Sequence, residues 1–217
     1  MVATMPAAAQ PGQARAARTA ITLMRASELA AVPWKNGGGV TREVAAHPPQ
    51  AGFDTFDWRV SVADVAQPGP FSRFAGIDRT LVLLEGAGMR LVDERGATHV
   101  LSEPFAVAHF AGEASIDAAL VDGPTRDFNL MLRRARASAT LEVWRGAGVH
   151  TLDADVALVF CAHGTLAVTL AVAVAAGEGE APVELASMDT LRIDAPRALT
   201  CAIDGTGTAL AIRIRYL

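Results

Sequence analysis

Residues 80–92 read TLVLLEGAGMRLV and residues 156–170 read VALVFCAHGTLAVTL. Each is an apolar run of strand length, a turn carrying Gly86 or Gly164, and a returning run, which is the pattern of a β-hairpin with a buried first strand. A second matched pair follows. SIDAALVDGPTRDFNLMLRR (115–134) answers LTCAIDGTGTALAIRIR (199–215), with Asp122-Gly123 in the place of Asp204-Gly205 and an arginine near the end of the last strand both times. The offset is 78 residues from Gly86 to Gly164 and 82 from Asp122 to Asp204. One β unit thus occurs twice with a small insertion between the anchors, and the expectation is an all-β protein of two similar sandwich or barrel halves in one body.

Outward from these hairpins the same texture continues. VTREVAA, FDWRVSVADV, THVLSE, FAVAHF, ATLEVWR and the pair around PVELA and TLRID are short alternating or β-branched runs separated by Gly, Pro and Asp. Only RASELAAV has a helical look, with Ser27 placed to cap it. The organisation expected is a disordered or variable extension over 1–25, a first half over 26–137 and a second over 138–217. The extension carries Arg15 and Arg18 and no acid before Glu28, as transit peptides do, but Gln, Gly and Pro interrupt any amphipathic helix and a signal peptide's apolar core is missing.

The chain has 217 residues, 51% hydrophobic and 19% charged, with a formal charge of −4. That suits a globular protein with its own core, and excludes a disordered or collagen-like one. With no Lys/Arg block interleaved with aromatics, a nucleic-acid partner is not expected. Val156 to Gly177 carries no Asp, Glu, Lys or Arg, long enough to span a bilayer, but its alanine content and the His163-Gly164 break favour a core hairpin over a membrane segment. Cys161 and Cys201 sit in apolar runs without CxxC spacing, as buried free thiols do. A cytoplasmic protein, free or as a homodimer, fits these features.

Eighteen arginines stand against one lysine, Lys35, and the only asparagines are Asn36 and Asn129. A coding bias towards Arg and Ala removes Lys and Asn wherever another residue serves, so their survival points to a need for a compact ammonium and for carboxamides. Two of the three lie in Pro33-Trp34-Lys35-Asn36-Gly37-Gly38-Gly39-Val40-Thr41-Arg42-Glu43. This run is either a ligand-facing loop or a turn that caps a barrel end with Trp34 as its plug; it lacks the spacing of a phosphate loop. In Trp58-Arg59-Val60-Ser61-Val62, Arg59 and Ser61 share one face. If that face lines a barrel, Arg59 is a carboxylate anchor, and Thr41 and Glu43 on the neighbouring strand share its space; if it faces water, these are surface residues. In GPFSRFAGIDRTLVLLEG, Phe71 and Phe74 anchor an apolar loop and Asp78-Arg79 offers a local ion pair. The candidate ligand-binding set is Lys35, Asn36, Thr41, Glu43, Arg59, Ser61 and Asn129. The five histidines form no HxH, HxxxH or HExxH, and no serine or cysteine sits in a nucleophile motif, so neither metal nor cofactor is expected.

Taken together, PWKNGGGVTREVA, FDWRVSVADV, GPFSRFAGIDRTLVLLEGAGMRL and DGPTRDFNLMLRR resemble the HutD/Ves family, with specific motifs from about Trp34 to Arg134 and only the strand pattern beyond. The resemblance implies a bicupin, a cytoplasmic bacterial protein linked to histidine utilisation, and an auxiliary or regulatory role in which a small acidic metabolite of the formyl- or formimino-glutamate kind is bound. The HxH and later Glu and His of metal-binding cupins are missing around TLVLLEGAGMRLVDERGATHVL. The alternative is a metal-free hydrolase or isomerase acting on such a metabolite, with Glu43 as general base.

Overall fold

A computed structural model describes residues 19–172 and 181–217. The strands of its first part are β1 (Ala20–Met24), β2 (Ala31–Pro33), β3 (Gly39–His47), β4 (Trp58–Val65), β5 (Gly69–Pro70) and β6 (Ile77–Glu85). They continue with β7 (Met89–Asp93), β8 (Thr98–Leu101), β9 (Val107–Ala111), β10 (Ile116–Leu120) and β11 (Thr125–Arg133). The remainder are β12 (Ala137–Arg145), β13 (Gly148–Leu152), β14 (Val156–His163), β15 (Thr165–Val172), β16 (Val183–Ala186), β17 (Thr190–Asp194), β18 (Leu199–Asp204) and β19 (Thr208–Tyr216). Among the described residues the one helical element is a 3-10 turn over Ala26–Glu28.

The strands form four sheets, in the orders β2-β3-β4-β11-β6-β9, β5-β10-β7-β8, β1-β17-β14-β19-β12 and β13-β18-β15-β16. Within the first sheet the order β4-β11-β6-β9 recurs as β12-β19-β14-β17 in the third, and β5-β10-β7-β8 recurs as β13-β18-β15-β16. Even the irregularities repeat: the β11–β6 register skips Leu84 and the β19–β14 register skips Ala162, 78 residues on. The turn glycines Gly86 and Gly164 both have positive φ, 102° and 75°, a backbone state other residues adopt only under strain.

Each pair of sheets closes over its own apolar interior. Leu81, Leu83, Met89, Leu91, Leu101 and Ile116 fill the first, and Trp144, Val159, Leu166, Leu191, Leu199 and Ile203 fill the second. A third core joins the two bodies. Trp58, Val60, Val62, Phe128 and Leu130 on the outer face of the first six-stranded sheet pack on Leu158, Phe160, Leu210, Ile212 and Ile214, with the Phe128 and Phe160 rings 4.9 Å apart. Each fully buried side chain of this size contributes about 1.5 to 3 kcal/mol.

Several expectations change. RASELAAV does not form a helix, because the chain is drawn into strands on either side and only a single turn fits between them. Ser27 is not its cap; Arg25 holds the N-cap position without a side-chain capping bond, and Asp189 accepts from the Ala26 N–H at 2.8 Å instead. Ala20–Met24, expected within the variable extension, forms β1 and pairs with β17 of the distant half; Arg15 and Arg18 lie outside the described residues. The apolar run from Val156 becomes the core hairpin β14–β15 as far as Val172, its last residues lying outside the described ones. No helix among the described residues is long and apolar enough to cross a membrane. Cys161 and Cys201 are free and buried, and burial pushes their thiols up to about 11 and about 12.

Candidate functional site

Strand alternation builds the site. Trp58, Val60 and Val62 of β4 are committed to the core between the two bodies, which turns Arg59, Ser61 and Ala63 to the interior of the first barrel. Across β4, β11 and β6 the register stacks three rows on that wall: Arg59, Met131 and Arg79; then Ser61, Asn129 and Leu81; then Ala63, Asp127 and Leu83. The polar members are buried, with exposures of 2% for Ser61 and Asp127, 7% for Arg79 and 9% for Arg59 and Asn129.

Arg59 donates from Nε to Glu43 Oε2 at 2.7 Å and from Nη1 to Ser61 Oγ at 3.1 Å, and its guanidinium lies 5.1 Å from the Phe53 ring. Glu43 reaches this pair because β3 carries a bulge: Glu43 is opposite Ser61 while Ala45, two residues on, is opposite Val60. The extra residue switches the strand's parity, so Thr41 and Glu43 face the barrel while Val44 and Ala45 join the core between the bodies. Arg79 is held among aromatic rings, 5.1 Å from Phe71, 5.8 Å from Phe74 and 5.0 Å from Phe110. Such cation–π contacts strengthen when desolvated.

Four buried polar atoms on this wall have no protein hydrogen-bond partner at ordinary distance: Arg79 Nε, Thr125 Oγ1, Asp127 Oδ1 and Asn129 Oδ1. Burial raises the Asp127 carboxyl to about 7, against the pull of the Arg79 charge, with a further push from Asp64 and a smaller opposing pull from the neighbouring Thr125 hydroxyl. Burial likewise brings Arg79 down to about 10, opposed by Asp127 and aided by Arg59. The repeat shows that the fold does not require this polarity. Asn129 is opposite Leu81 and Asp127 opposite Leu83, while Ala211 is opposite Val159 and Ala209 opposite Cys161; Arg79 corresponds by the same offset to Ala157. All three alanines are buried in the second barrel's apolar core.

The triple-glycine run is a packed turn. Trp34 donates its indole N–H to Thr41 Oγ1 at 2.7 Å and is partly buried against the first barrel's core. Asn36 uses its carboxamide oxygen to accept from the Gly38 N–H at 3.0 Å. A Cβ on Gly39 would stand 2.5 Å from the Asp64 carbonyl and 3.1 Å from the Trp34 ring, so this glycine is demanded by close approach. Lys35 and Asn36 are exposed on the turn, outside the buried wall. Separately, a cleft of about 530 Å³ lies beyond β6 and β9, between Thr80, His109 and Arg134 on one side and Ser138, Leu141 and Leu217 on the other. Among the described residues no three His, Cys, Asp or Glu side chains gather into a metal-binding group.

The HutD family model matches residues 26–211, most of the chain. The chain belongs to the HutD family. Among relatives of this HutD-family protein, an uncharacterised 21.2 kDa protein in the hutC 3' region of Pseudomonas putida is 38% identical over 152 residues, covering 70% of this chain and 78% of that one. Protein Ves of Citrobacter koseri is 40% identical over 113 residues, 51% of this chain and 56% of its own length. The solved structure of HutD from Pseudomonas fluorescens SBW25, in a formate condition, has 32% identity and a TM-score of 0.77, and covers 91% of this chain and all of that one. A conserved protein of unknown function from Pseudomonas aeruginosa PAO1 gives 30% identity and a TM-score of 0.79, with the same coverage. A mutant of Bacillus subtilis oxalate decarboxylase, at 10% identity and a TM-score of 0.57 over 88% of this chain and 76% of that one, shares the fold alone. The HutD-family fold is therefore all-β and cupin-like.

Of the residues singled out in this HutD-family sequence, Arg59, Ser61, Glu43, Thr41 and Asn129 come together on or beside one wall, and Lys35 and Asn36 do not join them. Sequence reasoning missed Arg79 and Asp127. The local Asp78–Arg79 pair does not form, because neighbours on a strand face opposite ways: Asp78 accepts from Arg134 at 2.6 Å while Arg79 turns inward. The alternation of Ile77, Arg79, Leu81 and Leu83 was the available signal.

Proposed function

We propose that this HutD-family protein is an auxiliary or regulatory protein of histidine utilisation that binds a small acidic metabolite, such as formyl- or formimino-glutamate, in the first barrel without metal or cofactor. One observation carries the reading: two buried guanidiniums, Arg59 and Arg79, share a wall with Asn129 and Asp127, and at the repeat positions defined by register Arg79, Asp127 and Asn129 are replaced by alanine and Arg59 by Thr140. Buried cations at a fixed spacing suit a carboxylate, since charge-assisted forked contacts are the strong ones. The hutC-region name of the Pseudomonas putida relative supports the pathway. The recurring strand order supports a bicupin description, with halves at 26–137 and 138–217, and the net charge of −4 suits a cytoplasmic protein without nucleic-acid partners.

Glu43 already accepts from Arg59 at 2.7 Å, so the alternative, a metal-free hydrolase or isomerase with Glu43 as general base, requires that pair to open first. Binding without turnover is the simpler use of the geometry. Isothermal titration with N-formyl-L-glutamate tests it. Arg59→Ala is expected to lose about 30- to 1000-fold in affinity, roughly 2 to 4 kcal/mol, while Lys35→Ala on the exposed turn changes it by less than about threefold, as a screened surface charge does. Unchanged binding by folded Arg59→Ala would place the site elsewhere, and release of product would favour the enzyme.

A further inference from the structure

Four phenylalanine rings cover the guanidiniums of the polar wall. Phe71, Phe74 and Phe110 lie 5.1, 5.8 and 5.0 Å from Arg79, and Phe53 lies 5.1 Å from Arg59. Phe53 and Phe74 come from different loops, 48–57 between β3 and β4 and 71–76 between β5 and β6, and their rings meet at 5.5 Å. That contact joins the two covers into one. Phe53 is 57% exposed while Arg59 is 9% exposed, so the ring has water on one side and a buried cation on the other.

Beneath this cover Arg79 is held by rings more than by hydrogen bonds. Its Nε has no protein partner, and Nη1 reaches only the Ser72 carbonyl, at 3.4 Å. Buried donors left unspent are costly, and an acceptor arriving from outside removes that cost. The loop, in turn, does not need Phe53 for its own fold. Phe56 is fully buried and packs with Ile77 and Met131, and Arg133 donates to the carbonyls of Phe56 and Asp54, each at 2.9 Å. With the backbone pinned beside it, Phe53 moves by turning its own side chain, as exposed side chains do within nanoseconds.

We propose that the ring pair of Phe53 and Phe74 is a door over the first barrel: an acidic ligand reaches Arg79 by passing Phe53 when its ring swings out, and the ring closes behind it. What passes the door rests on the carboxylate-binding reading above; the door itself rests on the rings. One cation–π contact and one aromatic pair together favour the closed state by about 5- to 100-fold. Closure then excludes water and strengthens the charged contacts inside.

Two readouts test the door, one of them without a ligand. 2,3-Butanedione labels arginine side chains, and mass spectrometry of the peptides gives a rate for each. Phe53→Ala is expected to speed labelling of Arg79, which lies under the other three rings, by about 5- to 100-fold. The exposed Arg90 and the half-buried Arg192 should keep their rates, which excludes a general loosening, and Phe53→Tyr, which retains the ring, should behave as wild type. In stopped-flow titration with N-formyl-L-glutamate, Phe53→Ala should raise association and dissociation rates together while Kd moves by less than about threefold. Unchanged labelling of Arg79 in Phe53→Ala places the way in elsewhere and overturns the door. Weaker affinity with an unchanged association rate overturns it too, since Phe53 is then a binding contact. Failure of N-formyl-L-glutamate to bind wild type and variant alike, with Arg79 labelling accelerated, removes the carboxylate reading and leaves the door standing.

Discussion

Asp127 combines full burial with a carboxyl that folding raises from an ordinary value of 3.8 to about 7, and the direction has a consequence for stability. Between those values the folded protein holds a proton that the unfolded chain has released. Stability from this group is therefore complete below about pH 4 and is lost as pH rises towards 7. Asp127→Asn cannot ionise, so relative to wild type it should gain stability between about pH 5 and pH 8, read as a rising difference in urea midpoints. An identical difference at both pH values would show that Asp127 does not titrate in that window. Arg59 was legible from the sequence because the large apolar residues Trp58, Val60 and Val62 fix the opposite face as buried. Arg79 was not, since Asp78 beside it suggested a pair that strand geometry forbids.

At the scale of elements, the turn from Trp34 to Gly39 and the bulge after Glu43 set the edge of the wall. The glycines of this turn differ in kind. Gly37 has a φ of +70° with nothing within 4 Å of an added Cβ, whereas Gly39 meets the Asp64 carbonyl and the Trp34 ring. Gly37→Ala should cost about 1 kcal/mol from backbone conformation alone. Gly39→Ala should cost more than about 2 kcal/mol, because backbone or indole has to move. Thermal unfolding of the two variants checks the order, and equal losses would mean that the Trp34 packing is dispensable. The longer strands were readable from their alternation and the repeat from its glycine anchors. β1, β2 and the short β5 were not, because edge strands are exposed and their pairing is decided by partners far along the chain. The bulge in β3 was equally hidden: VTREVAA alternates in neither register throughout, and only its pairing with β4 shows where the parity changes.

For the whole molecule, the core between the bodies and the pairing of β1 with β17 tie the chain's beginning to its second barrel. Trp58, fully buried, also donates its indole N–H to the Tyr216 hydroxyl at 3.3 Å. The two barrels should therefore unfold together, with tryptophan fluorescence and far-ultraviolet circular dichroism giving coincident urea transitions. Phe160→Ala, at the centre of the shared core, should lower stability by about 3 to 5 kcal/mol while preserving that coincidence. Separate transitions would mean that each barrel stands alone. The alanines at 157, 209 and 211 carry the last consequence. Nature has already performed part of the knockout: one molecule contains the same scaffold with Arg79, Asp127 and Asn129 and with alanine in their three places, while Thr140, Glu142 and Arg213 stand where Arg59, Ser61 and Met131 do, so the second barrel is a built-in reference for altering those three positions of the first. A protein engineer could use it in the other direction, writing Arg, Asp and Asn into the silent copy to ask whether recognition can be transplanted within a single chain.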